Sequence, residues 1–273
     1  MSRTASRQIA GRATRAAADA GAEGLKSLRK AIRVLECFSL QTPRLPLTDI
    51  ACTVGLPLST AHRIVTTLRA VGMVEQEGDR DLYRLGLKLL ELGSMVLANM
   101  AVHREALPCI EELVHDTGET VHLGVFDGAQ VVSIEKMDSP HGLASNVTIG
   151  KGAPAHCTGV GKALLAYQPE SAVEHVCRLG LAKHTRQTIT EPDRLRRELA
   201  RIRAQGYAVD DMEHQRDVRC VAAPVRDHSG RVVASLSVSG PATRIPKGRI
   251  PPLARRVRDV AAKLSARLGY TGR

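Results

Sequence analysis

The sequence predicts an α+β protein in two domains: a winged helix-turn-helix followed by a domain on an antiparallel sheet. Three observations predict it. Pro46–Leu68 reads as two short helices about a tight turn, and two alternating apolar runs around Glu77–Arg80 follow as a β-hairpin. From Val102 onward, strands paired about Asp-Gly turns mix with flanking helices, without the strict strand–helix–strand alternation of a parallel sheet.

Residues 1–24, rich in Ala, Arg, Ser and Gly with no apolar face, are expected to be a disordered basic arm. Its arginines suit DNA phosphates, or simply solubilise the chain. The winged domain is expected over 25–86. Its first helix, Leu25–Leu40, carries Leu28, Ala31, Ile32, Leu35 and Phe38 at helical spacing. Thr48-Asp49 is placed to cap the next helix, which turns Ile50, Ala51 and Val54 inward and ends at Gly55. Pro57 and Ser59-Thr60 open the second helix of the pair, with Ile64, Val65 and Leu68 inward, and Gly72 ends it. Residues 87–101 form an apolar linker helix. A helix apolar on most faces must be covered on most of them, by a second subunit or by its own chain.

The second domain is expected over 102–270. Helices are predicted at Val102–Thr117, Gly161–Tyr167, Ala172–Arg178, Asp193–Gln205 and Pro252–Leu268, and strands at 121–126, 131–134, Ser145–Ile149, Val221–Arg226 and Val232–Val238.

The 273 residues carry 39 Lys+Arg against 28 Asp+Glu, a net charge of +11 that favours a polyanionic partner. Aromatic residues make up 2% and tryptophan is absent, which argues against stacking readers of single strands and leaves duplex DNA. The outward face of the second helix presents Ser59, Thr60, His62, Arg63, Thr66 and Thr67, short hydroxyls and an arginine suited to a major groove. Arg80 and Arg84 on the wing suit phosphates or the minor groove. Six scattered cysteines without a CxxC, ten dispersed histidines and the absence of a signal peptide or spanning apolar run fit a reducing cytoplasm, with no disulfide framework, metal site or membrane anchor expected.

Gly159-Val160-Gly161-Lys162-Ala163 resembles a P-loop only in passing. A P-loop needs Gly at 156 and Ser or Thr at 163, where the chain has His156 and Ala163. Gly150–Ala155 is an equally poor dinucleotide fingerprint, interrupted by Pro154. The glycines at Thr158–Lys162 instead open a helix whose free N–H groups can hold a carboxylate, or they serve a tight turn. Asp210, Asp211, Glu213, His214 and Cys220 precede Ser237 and Ser239, which share one face of their strand. Two hydroxyls beside a cysteine and an acid read as the floor of a binding pocket. The rival reading is a Cys220/His214 nucleophile and base in a hydrolase-like domain.

Three segments resemble the IclR family of bacterial transcriptional regulators, over Leu25 to Gly269. LTDIACTVGLPLSTAHRIVTTLRAVGMVEQ is similar to its winged helix-turn-helix, IGKGAPAHCTGVGKALLA to its G-x4-P-x-H-x4-GKA-x-LA signature, and GYAVDDMEHQRDVRCVAAPVRDHSGRVVASLSVSGP to its second signature. The resemblance implies a GAF/PAS-like effector domain that binds an organic or aromatic acid, contacted by Gly159, Val160, Asp210, Cys220, Ser237 and Ser239. It implies no cofactor, and a homodimer or dimer of dimers on a palindromic operator, with the effector shifting the dimer between two spacings of its reading heads. The chain departs from the family pattern at Met212, usually an acid, at Asp217, commonly glycine, and at Val160, often alanine. The expectation is a ligand-responsive repressor.

Overall fold

The computed structural model describes residues 26–78, 81–142 and 147–272. The basic arm and Arg80 lie outside them. The chain divides into two compact units between Val96 and Leu97.

In the first unit, α1 covers 26–36 and packs Val34 and Phe38 onto α2 (Leu47–Val54) and α3 (Leu58–Ala70). The buried face of α1 is turned from the expected one: Val34 is fully buried, whereas Leu28 and Ile32 are 58% and 46% exposed. Residues 31, 34, 35 and 38 make the tighter i, i+3, i+4, i+7 stripe, and the core selects it. The expected Thr48-Asp49 cap is absent. Pro46, extended at φ −71°, hands directly into Leu47, and Thr48 bonds to Asp49 inside the first turn. Gly55 ends α2 at φ 69°, a left-handed position that glycine takes without penalty because it lacks a Cβ.

The wing is a three-stranded sheet. Strands β2 (Val74–Gln76) and β3 (Leu82–Leu85) form the expected hairpin, and β1 (Leu45–Pro46) adds to β3 on the other edge. Two residues carry too little periodicity for β1 to be read from sequence. Helix α4 (Leu87–Ala98) buries none of its residues in this chain; Leu87 and Leu90 are 72% and 66% exposed.

The second unit is a six-stranded antiparallel sheet in the order β6-β5-β4-β9-β8-β7. Its strands are β4 (Thr120–Phe126), β5 (Gln130–Met137), β6 (Gly152–Pro154), β7 (Ala208–Asp211), β8 (Val218–Arg226) and β9 (Val232–Pro241). The strand expected at Ser145–Ile149 falls partly outside the described residues, and 147–150 are loop and turn. The edge strand there is β6, whose Gly and Pro masked it in the sequence.

Alternation sorts the two faces. Val121 and Leu123, Val221, Ala223 and Val225, and Ala234, Leu236 and Val238 point to one side, where α5 (Ala101–Thr117) and α9 (Ile250–Arg267) close a core over them. The opposite face carries Thr120, His122, Cys220, Ala222, Ser237 and Ser239. Helices α6 (Gly159–Leu165), α7 (Glu170–Leu179) and α8 (Pro192–Gln205) cover part of this side with a second core, in which Ala163, Leu165, Val173, Leu195, Leu199 and Ala222 are buried. The sheet is thus apolar on one face and increasingly polar on the other.

Candidate functional site

Helix α3 exposes Ser59, His62, Arg63, Thr66 and Thr67, with Thr60 half-buried, while Ala61, Val65 and Leu68 fill the core behind them. The Thr67 hydroxyl donates back to the Arg63 carbonyl at 2.9 Å, which holds its methyl outward. Arg84, expected to contact phosphates or the minor groove, donates to the Glu75 carboxylate across the hairpin at 2.9 and 3.1 Å. It stiffens the wing, and reaching a phosphate costs it that pair.

The polar sheet face builds the second site. Pairing places Asp210, Cys220, Ser239 and Thr120 in one row across β7, β8, β9 and β4; in the next row Ser237 lies between Ala222 and His122. Above them, Thr158 caps α6: its hydroxyl oxygen accepts from the Gly161 N–H at 3.1 Å and donates to the Pro154 carbonyl at 2.8 Å. The Gly159 and Val160 N–H groups, at the open end of the first turn, have no helical acceptor. All six residues nominated from the sequence, Gly159, Val160, Asp210, Cys220, Ser237 and Ser239, line one cavity of about 60 Å³. Glycine at 159 is a packing requirement, since a Cβ there would stand 2.8 Å from the Cys220 sulfur. At 161 a Cβ would meet the Ala155 backbone at 2.6 Å. The glycines of the pseudo-P-loop therefore serve close approach.

Burial sets the electrostatics. It pushes the Asp210 carboxyl up to about 7, against the opposing pull of Lys162 and of the Glu213 and His214 N–H groups that donate to it. It also pushes the Cys220 thiol up to about 12, with Asp210 adding to the effect. A thiol held that far from ionisation is a poor nucleophile. Lys162, fully buried, donates to the Val209 carbonyl at 2.7 Å, to Glu198 at 3.3 Å and to Glu213, tying α6 to β7 and the turn after it.

Sequence reasoning missed His122. It lines the same cavity, and both ring nitrogens are buried without a hydrogen-bond partner, as is the Ser237 hydroxyl opposite it in register. Burial lowers its pKa to about 4, so the ring is neutral at neutral pH. A histidine among Val121, Leu123 and Val125 at an alternate position was the available signal. Ser133, Lys151, Thr158 and His214 also line the cavity. Met212 and Asp217 both hold φ 61°, which accounts for glycine being common at 217, where it removes a Cβ from left-handed backbone; it gives no account of Met in place of an acid at 212.

A winged helix-turn-helix joined in one chain to a sheet domain with a small polar cavity defines the class: a one-chain transcription regulator. Residues 27–78 match the IclR helix-turn-helix domain, and 94–266 match the bacterial transcriptional regulator IclR C-terminal domain. The chain is 34% identical to the HTH-type transcriptional regulator XynR of Escherichia coli K12 over 90% of its length and 98% of that protein's. It is 33% identical to the transcriptional repressor IclR of the same organism, covering 94% of each. The crystal structure of an IclR homolog complexed with 4-hydroxybenzoate, from Microbacterium hydrocarbonoxydans, superimposes with a TM-score of 0.77 at 30% identity, over 89% of this chain and 98% of that one.

The chain belongs to the IclR family of bacterial transcriptional regulators. It is a regulator and not an enzyme, which disposes of the Cys220/His214 hydrolase reading. It binds DNA through the helix-turn-helix and a small-molecule effector through the C-terminal domain. No helix among the described residues is long and apolar enough to cross a membrane.

Proposed function

We propose that the protein is a repressor whose C-terminal cavity takes a small organic or aromatic carboxylate, and that the ligand lowers affinity for a palindromic operator. The observation that carries this is the convergence of polar groups on one cavity: the Ser237 and Ser239 hydroxyls, an Asp210 whose carboxyl burial raises to about 7, and the Gly159 and Val160 amides, with Lys151 on the wall. A protonated acid and a lysine bind a carboxylate where an ionised Asp210 would repel it. The homolog complexed with 4-hydroxybenzoate and the relatives named as repressors support the same reading.

On this reading Ser59, Thr60, Arg63 and Thr67 read or anchor in the major groove, with His62 and Thr66 beside them and the wing, Arg84 included, on the flanking backbone. A homodimer, or a dimer of dimers, covers α4 and the exposed Leu28 and Ile32 of α1. The effector shifts that dimer between states of different operator affinity, by no more than its own difference in affinity for them.

Two measurements test this. Arg63→Ala should weaken binding to the intergenic DNA beside the protein's own gene and reduce the salt slope by about 1. Unchanged affinity removes α3 as the reading helix. A thermal-shift screen of oxo-, hydroxy- and aromatic acids should find stabilising ligands whose effect Ser239→Ala weakens while DNA binding persists. If Ser239→Ala loses both functions, the serine is structural.

A further inference from the structure

The sequence scatters its histidines, yet the fold gathers three of them beside α6. The His156 and Cys157 side chains, from the turn between β6 and α6, meet His184 from the loop after α7. One ligand atom from each lies within 4.8 Å of the other two. The His214 ring packs edge-on against His184, with centroids 5.3 Å apart. His156 and Cys157 are buried and His184 is exposed, so the cluster has a fixed floor and an open side.

The scaffold orients the imidazoles as a metal site needs; burial and the nearby Asp210 and Glu213 push the Cys157 thiol up, so the metal itself must displace its proton. His156 Nε2 donates to the Ala182 carbonyl at 3.0 Å; a carbonyl only accepts, so the neutral ring keeps its Nδ1 lone pair free. The His184 loop is pinned in turn. Its N–H donates to the Thr188 hydroxyl at 3.1 Å, and Thr188 and Thr185 donate to the Glu213 and Met212 carbonyls at 2.6 and 2.7 Å. One imidazole is thus oriented from behind and the other is carried on a hydrogen-bonded loop. The nearby Lys162 ammonium is neutralised by Glu198 and Glu213.

We propose that His156 Nδ1, Cys157 Sγ and His184 form a site for a thiophilic divalent metal ion, zinc(II) by ligand type. Two imidazoles and a thiolate are a tetrahedral zinc set with its fourth position open to water or His214. Zinc bonds of about 2.0–2.3 Å put tetrahedral ligands about 3.3–3.6 Å apart, so closure of about 1 Å by the exposed His184 completes it. Binding releases one proton, from the Cys157 thiol. None of the three ligands lines the effector cavity, but His214, packed on His184, does, so the two sites adjoin. The metal clamps the 182–188 loop onto the turn whose next residue, Thr158, caps the helix over that cavity. Metal occupancy is therefore a second input to the effector domain.

The test is a cobalt(II) titration of the full-length chain carrying no affinity tag, followed by displacement with zinc(II). One cobalt per chain should bind saturably, with tetrahedral visible bands and a thiolate charge-transfer band in the near ultraviolet, and zinc should abolish both. Cys157→Ser should lose the charge-transfer band. His184→Ala, at an exposed position that keeps the fold, should bind at least about tenfold more weakly. Absence of saturable one-to-one binding overturns the proposal. So does undiminished affinity in His184→Ala, or a charge-transfer band that survives Cys157→Ser.

Discussion

Gly159 and Cys220 meet face to face, with no room for a methyl group between them: a Cβ on Gly159 would lie 2.8 Å from the Cys220 sulfur. The contact joins the first turn of α6 to β8, and both residues line the cavity. Gly159→Ala should push α6 outward at a cost of about 1–3 kcal/mol, shared between stability and ligand binding. Adding Cys220→Ala should restore much of the stability. A thermal melt of the single and double variants checks this; no recovery in the double variant would locate the strain elsewhere.

Lys162 anchors the middle of α6. Lys162→Met leaves Glu213 buried without its cation and should cost about 3–5 kcal/mol in urea denaturation. Glu213→Gln in the same chain should recover a large part of that loss, because the uncompensated charge goes with it. Equal losses in the single and double variants would show that Lys162 acts through packing alone.

Effector binding through Asp210, as proposed, should depend on pH. The Asp210 carboxyl is raised to about 7, above its ordinary 3.8, so the folded state holds the proton more tightly than the unfolded state. That contribution is fully present below about 4 and is lost as pH rises through about 7. For a carboxylate ligand that needs the protonated acid, affinity should fall about tenfold per pH unit above 7. Calorimetry across pH 6 to 9 checks the slope, and Asp210→Asn should flatten it. A wild-type affinity that stays level would mean that Asp210 binds no ligand oxygen.

His122 sets stability against function. Two buried nitrogens without partners cost the folded chain, so His122→Leu should stabilise it by about 1–3 kcal/mol and weaken the effector response. Its pKa, lowered to about 4 by burial, sends the acid dependence the opposite way to Asp210: stability falls as pH drops below about 6.5 towards 4. His122→Leu should remove that acid-side loss. If the variant is destabilised instead, the ring is worth more as packing than its nitrogens cost.

Much of this was legible because it rests on period and register. The inward stripe of α3 and the shared face of Ser237 and Ser239 follow from helix and strand geometry alone. The same reasoning misassigned Leu28 and Ile32, because two overlapping stripes fit α1 and only packing against α2 and α3 chooses between them. Strands β1, β6 and β7 are too short, or too rich in Gly and Pro, to show alternation. His122 is hidden by its apolar neighbours, and the His156, Cys157 and His184 cluster by a separation in sequence that only the fold closes. The cross-strand pair of Arg84 with Glu75 was not read from the sequence, because it follows from the hairpin register.

The cavity between α6 and the sheet holds about 60 Å³, room for about two waters, whereas pockets for small organic ligands run to about 300–1,000 Å³. An aromatic acid of the proposed kind would need the cavity to widen before it could enter. Entry is then a sequence of opening and capture, and its observed rate levels off as ligand concentration rises. For a ligand of the proposed class, the tempo of capture should follow how often this seam opens. Substitutions that loosen the Gly159–Cys220 contact without touching a polar group change when the cell hears the signal before they change how strongly.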